Sequence, residues 1–197
     1  LVGSEMCIRD RQKALDAAGK IQGAVYFPAG EYVCAKLKLP PNTMMFAEPQ
    51  WGYRGAAGAV LKLESPDADC VIDITGAFGG RVCGLFLKGL GRNNEKKSHG
   101  IYLNNDNGYS PKEDSCVIED CHISGFSGDA VYLKRVWLFI VRRNIFIGNG
   151  GAGIRVQGWD GFVSDNQLSA NGQGGFVGDS VTATVMFTAN RVEWNGA

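Results

Sequence analysis

Apolar and polar residues alternate along this chain in short runs closed by glycine or asparagine, and the pattern returns every 22–24 residues. Phe139–Gly150 (FIVRRNIFIGNG), Phe162–Gly172 (FVSDNQLSANG) and Val185–Gly196 (VMFTANRVEWNG) carry it most clearly, and Val117–Gly125 (VIEDCHISG) is a shorter copy. Alternation with a period of two is the mark of half-buried strands, and a fixed repeat of this size is the mark of a solenoid. In register, Ile118, Val141, Val163 and Phe187 share one inward column, and Ile123, Phe146, Leu168 and Val192 share a second. Val131, Ile154 and Phe176 form a third. Three apolar columns facing one axis predict a parallel β-helix whose coils rise by the strand spacing of ~4.8 Å.

Two polar columns run beside these. Asn144, Asn166 and Asn190 stack with Cys121, and Asn149, Asn171 and Asn195 stack at the next bend. Asparagine tolerates left-handed backbone angles, and its amide both donates and accepts. A ladder of stacked amides therefore accounts for these residues better than a set of sugar ligands does. A leucine-rich repeat also has a period of ~20–29 and an Asn/Cys ladder. Here, however, Ile154-x-Val156 lies ten positions before Asn166, and a glycine-rich return replaces the expected one.

Upstream, Gln12–Ala18 is rich in helix formers, with Ala14, Leu15 and Ala18 on one face and Gly19 as a natural stop. Such a helix can cover the open end of a sheet stack. Gly23–Tyr32 reads as strand, turn and strand, and Leu37–Phe46 as a strand pair broken at Pro40-Pro41. Val60–Leu63 and Val71–Ile74 are further short strands, and Ala47–Gly58 is an irregular loop. Arg81–Gly89 matches Val117–Gly125 and places Leu85 over Cys121. The polar insertion 104–115 lengthens the coil between them.

The stretch QKALDAAGKIQGAVYFPAGEYVCAKLKLPPNTMMF (Gln12–Phe46) resembles the start of pectate-lyase-like proteins of the rhamnogalacturonase/epimerase type. Those begin with a capping helix, a VYFPAG-Y strand and an L-x-LP-x-NT strand. The resemblance implies an all-β, right-handed parallel β-helix with a short N-terminal capping helix. It also implies an extracellular or cell-surface protein acting on a polysaccharide such as a polyuronide, as a lyase or glycoside hydrolase. The alternative within the same fold is a non-catalytic adhesin, tail-spike-like or scaffold module. Leu1–Arg11 (LVGSEMCIRDR) lacks the features of a signal peptide and resembles a translated sequencing-adaptor scar. Residues 12–197 then read as one β-helix domain, open at its C-terminal end.

Composition narrows the partners. Twenty basic and twenty acidic residues cancel, so no overall field recruits nucleic acid. The apolar run Val136–Val141 is far below the roughly 18 residues of a membrane span. The six cysteines show no C-x-x-C spacing and read as buried free thiols rather than metal ligands, and there is no N-x-S/T sequon.

Candidate chemistry lies on outward rows. Tyr102, Tyr132, Arg155 and Val177 form one, and Asn104, Lys134, Gln157 and Asp179 form the next. Aromatic faces stack on sugar rings, and Arg or Lys pairs with uronate carboxylates. Arg155, Tyr132 and Lys134 are therefore the catalytic candidates, with Tyr102, Asn104, Asp106, Gln157 and Asp179 as binding candidates. The simpler reading is that Tyr and Arg merely coat a sheet. Asp106, Glu113 and Asp114 in the insertion would form a wall beside this surface. A lyase could use Ca²⁺, and Asn104-x-Asp106 offers oxygens, though without the Glu-terminated loop of a dedicated calcium site.

A second outward set joins Glu119 with Arg142 and Asp120 with Arg143, which ion pairing between coils explains without catalysis. Asp120 and Asp165 have Arg143 between them. The N-T-D, D-D, G-H-G and R-I-K motifs of polygalacturonase-type hydrolases are absent. His99 reads as a strand-entry residue and His122 as an outward one.

Overall fold

The computed structural model describes residues 8–53, 55–106 and 113–196. Twenty short strands form three parallel sheets, and successive strands of one coil fall in successive sheets. The first sheet stacks Ala24–Tyr26, Met44–Phe46, Arg81–Cys83, Cys116–Glu119, Phe139–Arg142, Phe162–Ser164 and Met186–Thr188. The second stacks Gly30–Cys34, Ala59–Leu63, Phe86–Lys88, His122–Ser124, Ile145–Ile147, Gln167–Ser169 and Arg191–Glu193. The third stacks Leu37–Lys38, Cys70–Asp73, His99–Asn104, Val131–Trp137, Ile154–Trp159 and Phe176–Gly178. This is a parallel β-helix.

The register is the one the alternation predicts. Ile118 pairs with Val141, Val141 with Val163 and Val163 with Phe187. Ile123, Phe146, Leu168 and Val192 are likewise in line, as are Ile101, Val131, Ile154 and Phe176. These columns are buried up to the last coil, where Phe187 and Val192 are 42% and 50% exposed because no strand of the described residues lies over them. Each fully buried Leu, Ile or Phe contributes roughly 1.5–3 kcal/mol.

The corners use a device that asparagine's own tolerance of left-handed angles does not describe. The left-handed residue is the one before each ladder position: Asp120 before Cys121, and Arg143, Asp165 and Ala189 before their asparagines at the first corner, with φ of 54–58°. Gly125, Gly148, Ala170 and Trp194 do the same at the second. The asparagine that follows points inward. Asn166 Oδ1 accepts from the Asn144 backbone N–H (3.0 Å) and from Asn144 Nδ2 (2.9 Å). Its Nδ2 donates to Val141 O and to Asn190 Oδ1, both at 2.9 Å. The second ladder repeats this through Asn149, Asn171 and Asn195. Asn144, Asn149, Asn166 and Asn171 are buried, so the ladder satisfies corner groups that water cannot reach.

The helix α1 (Ile8–Lys20) is longer than the expected Gln12–Ala18 and runs through Gly19. It ends where Gln22 turns left-handed (φ 52°) and Gly23 N–H reaches Ala18 O at 2.9 Å. Leu15 and Ala18 are buried against the first coil. Gln12 caps the edge strand directly: its Nε2 donates to Lys38 O (2.9 Å), and its Oε1 accepts from Lys38 N–H (2.8 Å). An otherwise unpaired edge is thereby closed.

Cys34, Cys70, Cys116 and Cys121 are buried free thiols and Cys83 is a half-buried one, while Cys7 lies outside the described residues. No helix of the described residues is long and apolar enough to cross a membrane.

Candidate functional site

Alternation on the third sheet turns Tyr102, Tyr132 and Arg155 outward in one row, since Tyr132 pairs in register with both others. The two tyrosine rings stack with centroids 5.3 Å apart and planes 8° apart. His99 leans on them, 5.0 Å from Tyr132 and 5.8 Å from Tyr102. In the next row Lys134 lies between Asn104 and Gln157, with exposed Asp179 following at the edge. The structure therefore sets seven of the eight residues singled out from the sequence on one face of the third sheet, and the eighth, Asp106, joins them through Lys134.

The two rows differ in what holds them. Lys134 is ion-paired to Asp106, which raises its ammonium above the ordinary lysine range. Asp106 N–H donates to Asn104 Oδ1 (2.9 Å), and Asn104 Nδ2 donates to Tyr102 Oη (3.1 Å). Asn104 Oδ1 and Asp106 Oδ2 are thus already engaged. Gln157 Oε1 is buried without a partner among the described residues. Of the insertion wall, Asp114 is buried, held by Asn105 Nδ2 (3.0 Å) and Trp137 N–H (2.8 Å). Residues 107–112 lie outside the described residues.

The tightest geometry lies at the head of the first row, on a column that spacing alone did not single out. His99, Asp129 and Ala152 occupy one register position just before the inward Ile101, Val131 and Ile154. Asp129 N–H donates to His99 Nδ1 (3.0 Å), so the neutral ring carries its proton on Nε2. Asp129 Oδ1 accepts from Ala152 N–H at 2.6 Å, and Oδ2 lies 3.2 Å from Arg155 Nε. Arg155 Nη2 then donates to Gln173 Oε1 at 2.6 Å. Lys97 Nζ donates to Ser127 O at 3.2 Å.

These residues line a cleft of about 260 Å³ together with Gly128 and Gly151. Both glycines are sterically required. A Cβ on Gly128 would fall 2.8 Å from His99 Nδ1, and one on Gly151 would fall 2.5 Å from Asp129 Oδ1. Burial depresses the His99 pKa, against the pull of the Asp129 charge, so the ring is neutral at neutral pH. Burial also holds the Tyr132 phenol above its usual value, with Lys134 opposing. The cleft has two cations, one carboxylate and a neutral imidazole. It suits an anionic group bounded by an aromatic face.

The outward set on the first sheet is structural. Glu119 points away from the core yet has no exposure, because Arg81, Arg142 and Arg143 close over it. Arg143 also pairs with Asp120 at 2.7 Å. Cys83, Glu119 and Asp120 offer ligand atoms within 4.8 Å of one another, but three guanidiniums already neutralise the carboxylates. His122 is buried as well, its ring tilted against Phe86 with centroids 4.2 Å apart and lying beside the Gly52 backbone, which makes it a packing residue.

Three stacked parallel sheets around a dry axis, with one helix over the first coil, define a parallel β-helix. The family model described as the right handed beta helix region matches residues 85–196, more than half of the chain, and the chain belongs to that family. A proposed glycosyl hydrolase from Parabacteroides merdae has a similar structure, with a TM-score of 0.69 and 16% identity over 92% of this chain and 88% of that one. The A-module of the mannuronan C-5 epimerase AlgE4 from Azotobacter vinelandii is similar at a TM-score of 0.59 and 20% identity. That match covers 85% of this chain and 54% of the epimerase chain. No curated protein sequence matches the chain.

Proposed function

We propose that this chain is a carbohydrate-active β-helix protein that binds an acidic polysaccharide, such as a polyuronide, across the outer face of its third sheet. The observation that carries this reading is the cleft in which Arg155 and Lys97 flank His99 beside the stacked Tyr102 and Tyr132. The cations fit a uronate carboxylate and the rings fit a sugar face. The two structural neighbours, a proposed glycosyl hydrolase and an epimerase of mannuronan, support a carbohydrate-active role, and the second is named for a polyuronide. Such polymers lie outside cells, which is where we place the protein.

The geometry favours proton transfer over hydrolysis. Hydrolases need paired carboxylates about 5–9.5 Å apart. The described cleft contains one carboxylate, Asp129, already held by Ala152 N–H and Arg155. With a uronate carboxylate on Arg155 and Lys97, removal of the acidic hydrogen beside it requires Tyr132 first to give up its own proton and act as the phenolate, a form that Lys134 favours. His99 Nε2 already carries a hydrogen and is the group able to give a proton back to the sugar. Binding without turnover is the second reading, favoured by the raised Tyr132 pKa, which keeps that phenol protonated.

The test is a panel of polyuronides and neutral glycans incubated with the protein in D₂O. Saturable binding, unsaturated ends, reducing ends and deuterium at C5 are then measured. Polyuronides should bind in preference to neutral glycans, and any turnover should be lost in Tyr132→Phe while binding persists. Binding without turnover would select the non-catalytic reading. Equal or absent binding across the panel would reject the proposal.

A further inference from the structure

The third sheet carries a second aromatic platform at the far end of the same strands. Trp137 and Trp159 are in register on neighbouring coils, with ring centroids 6.0 Å apart. Both are half-buried and line an open cleft of about 500 Å³ with Arg135, Asp160 and Thr184. A bulge brings them together. On Ile154–Trp159 simple alternation turns Arg155, Gln157 and Trp159 outward. On Val131–Trp137 the same count would bury Trp137. The register shifts between Lys134 and Val136, where Arg135 adopts φ 55°, and the extra residue turns Val136 inward and Trp137 outward beside Trp159. Bulges that re-aim a side chain are typical of functional edges.

The polar groups fit the same purpose. Trp137 Nε1 donates to Asp160 Oδ2 at 2.6 Å, which fixes the ring and satisfies its only donor. An indole face, a carboxylate and a guanidinium then border one cleft. Arg155 and Trp159 are four residues apart on one strand, roughly 13 Å, with Lys134 and Gln157 between the two ends.

We propose that Trp137 and Trp159 form a distal sugar subsite. It would stack a pyranose ring of the same polysaccharide, laid along the strand direction from the Arg155 cleft. This inference rests on the polyuronide reading above, and the experiment separates the two. Disaccharides and hexasaccharides of galacturonic and mannuronic acid are titrated into wild type and Trp159→Ala, with the Trp137 indole N–H followed by NMR. A disaccharide fills the Arg155 cleft alone, whereas a hexasaccharide reaches both ends.

In wild type the hexasaccharide should bind about tenfold more tightly than the disaccharide, the weight of one well-buried aromatic contact. It alone should shift the Trp137 resonance. Trp159→Ala should erase the length advantage and leave disaccharide affinity unchanged. A length advantage that survives in Trp159→Ala, or a hexasaccharide that leaves the Trp137 resonance unmoved in wild type, would overturn the subsite while sparing the polyuronide reading. Failure of both lengths to bind would overturn both. The wild-type resonance decides the matter even if the variant does not fold.

Discussion

Asn166→Leu is the sharpest probe of what holds the coils in register. Leucine keeps the same branched heavy-atom skeleton, with two bulkier methyls in place of the amide oxygen and nitrogen, so the substitution removes the hydrogen bonds while keeping the side-chain shape. Asn166 Oδ1 accepts from the Asn144 backbone and side chain, and its Nδ2 donates to Val141 O. Leucine leaves the Asn144 N–H, one Asn144 amide hydrogen and the Val141 carbonyl unpaired at a position 2% exposed. At about 1–3 kcal/mol for each of these three orphaned buried groups, the loss is on the order of 3–9 kcal/mol. That is a large share of the ~5–15 kcal/mol that folded domains possess.

Asn190→Leu breaks the equivalent bonds to Asn166 and Val163. Its site is partly exposed, so water replaces them and the loss should be only about 1 kcal/mol. Urea unfolding gives the free energies, and amide exchange at Asn144 shows whether the damage is local. An Asn166→Leu protein within about 1 kcal/mol of wild type, or equal losses at both sites, would refute the ladder as the source of stability.

Further outcomes follow from buried titrating groups. Burial depresses the His122 pKa from 6.5 to about 4. Because the folded state disfavours the charged ring, stability should be intact above pH 6.5 and fall by roughly 3 kcal/mol as pH drops toward 4. His122→Phe should flatten that acid limb in unfolding curves, and an unchanged limb would reject the assignment. Burial pushes the Cys116 and Cys121 thiols up to about 12. Both should therefore resist alkylation at neutral pH until the protein unfolds, and prompt labelling of the native protein would contradict their burial. Glu119→Gln should cost about 2 kcal/mol, since three arginines lose the charge they enclose, and an unfolding free energy equal to wild type would show the cluster to be inert.

The apolar columns, both asparagine ladders and the two outward rows were legible because each recurs at a fixed spacing, and a period of two admits only one assignment of faces. Features that break the repeat were not. Asp129 stands in the Ser127-Gly128-Asp129 turn, and its role depends on Ala152 and Arg155 of the following coil. A signal existed nonetheless: extending the Ile101/Val131/Ile154 alignment two positions upstream sets His99 over Asp129. Trp137 was hidden by the bulge at Arg135, which changes the phase of alternation within one strand. The burial of Glu119 and His122 was hidden for another reason. Both point away from the core, and their covers, Arg81 and the Gly52 backbone, lie far away in sequence.

The central claim is that the cleft at the head of the third sheet is an anion-recognising sugar site. Calorimetric titration of a polyuronide disaccharide into wild type, Arg155→Met and Arg191→Met tests it most directly. Arg191 is an exposed arginine on the second sheet, away from the cleft, and serves as the charge-matched control. Arg155→Met should weaken binding at least about tenfold, the scale of one lost charge-assisted contact. Arg191→Met should bind like wild type, and wild-type affinity should fall as salt is raised. Equal affinity in all three proteins would contradict that claim.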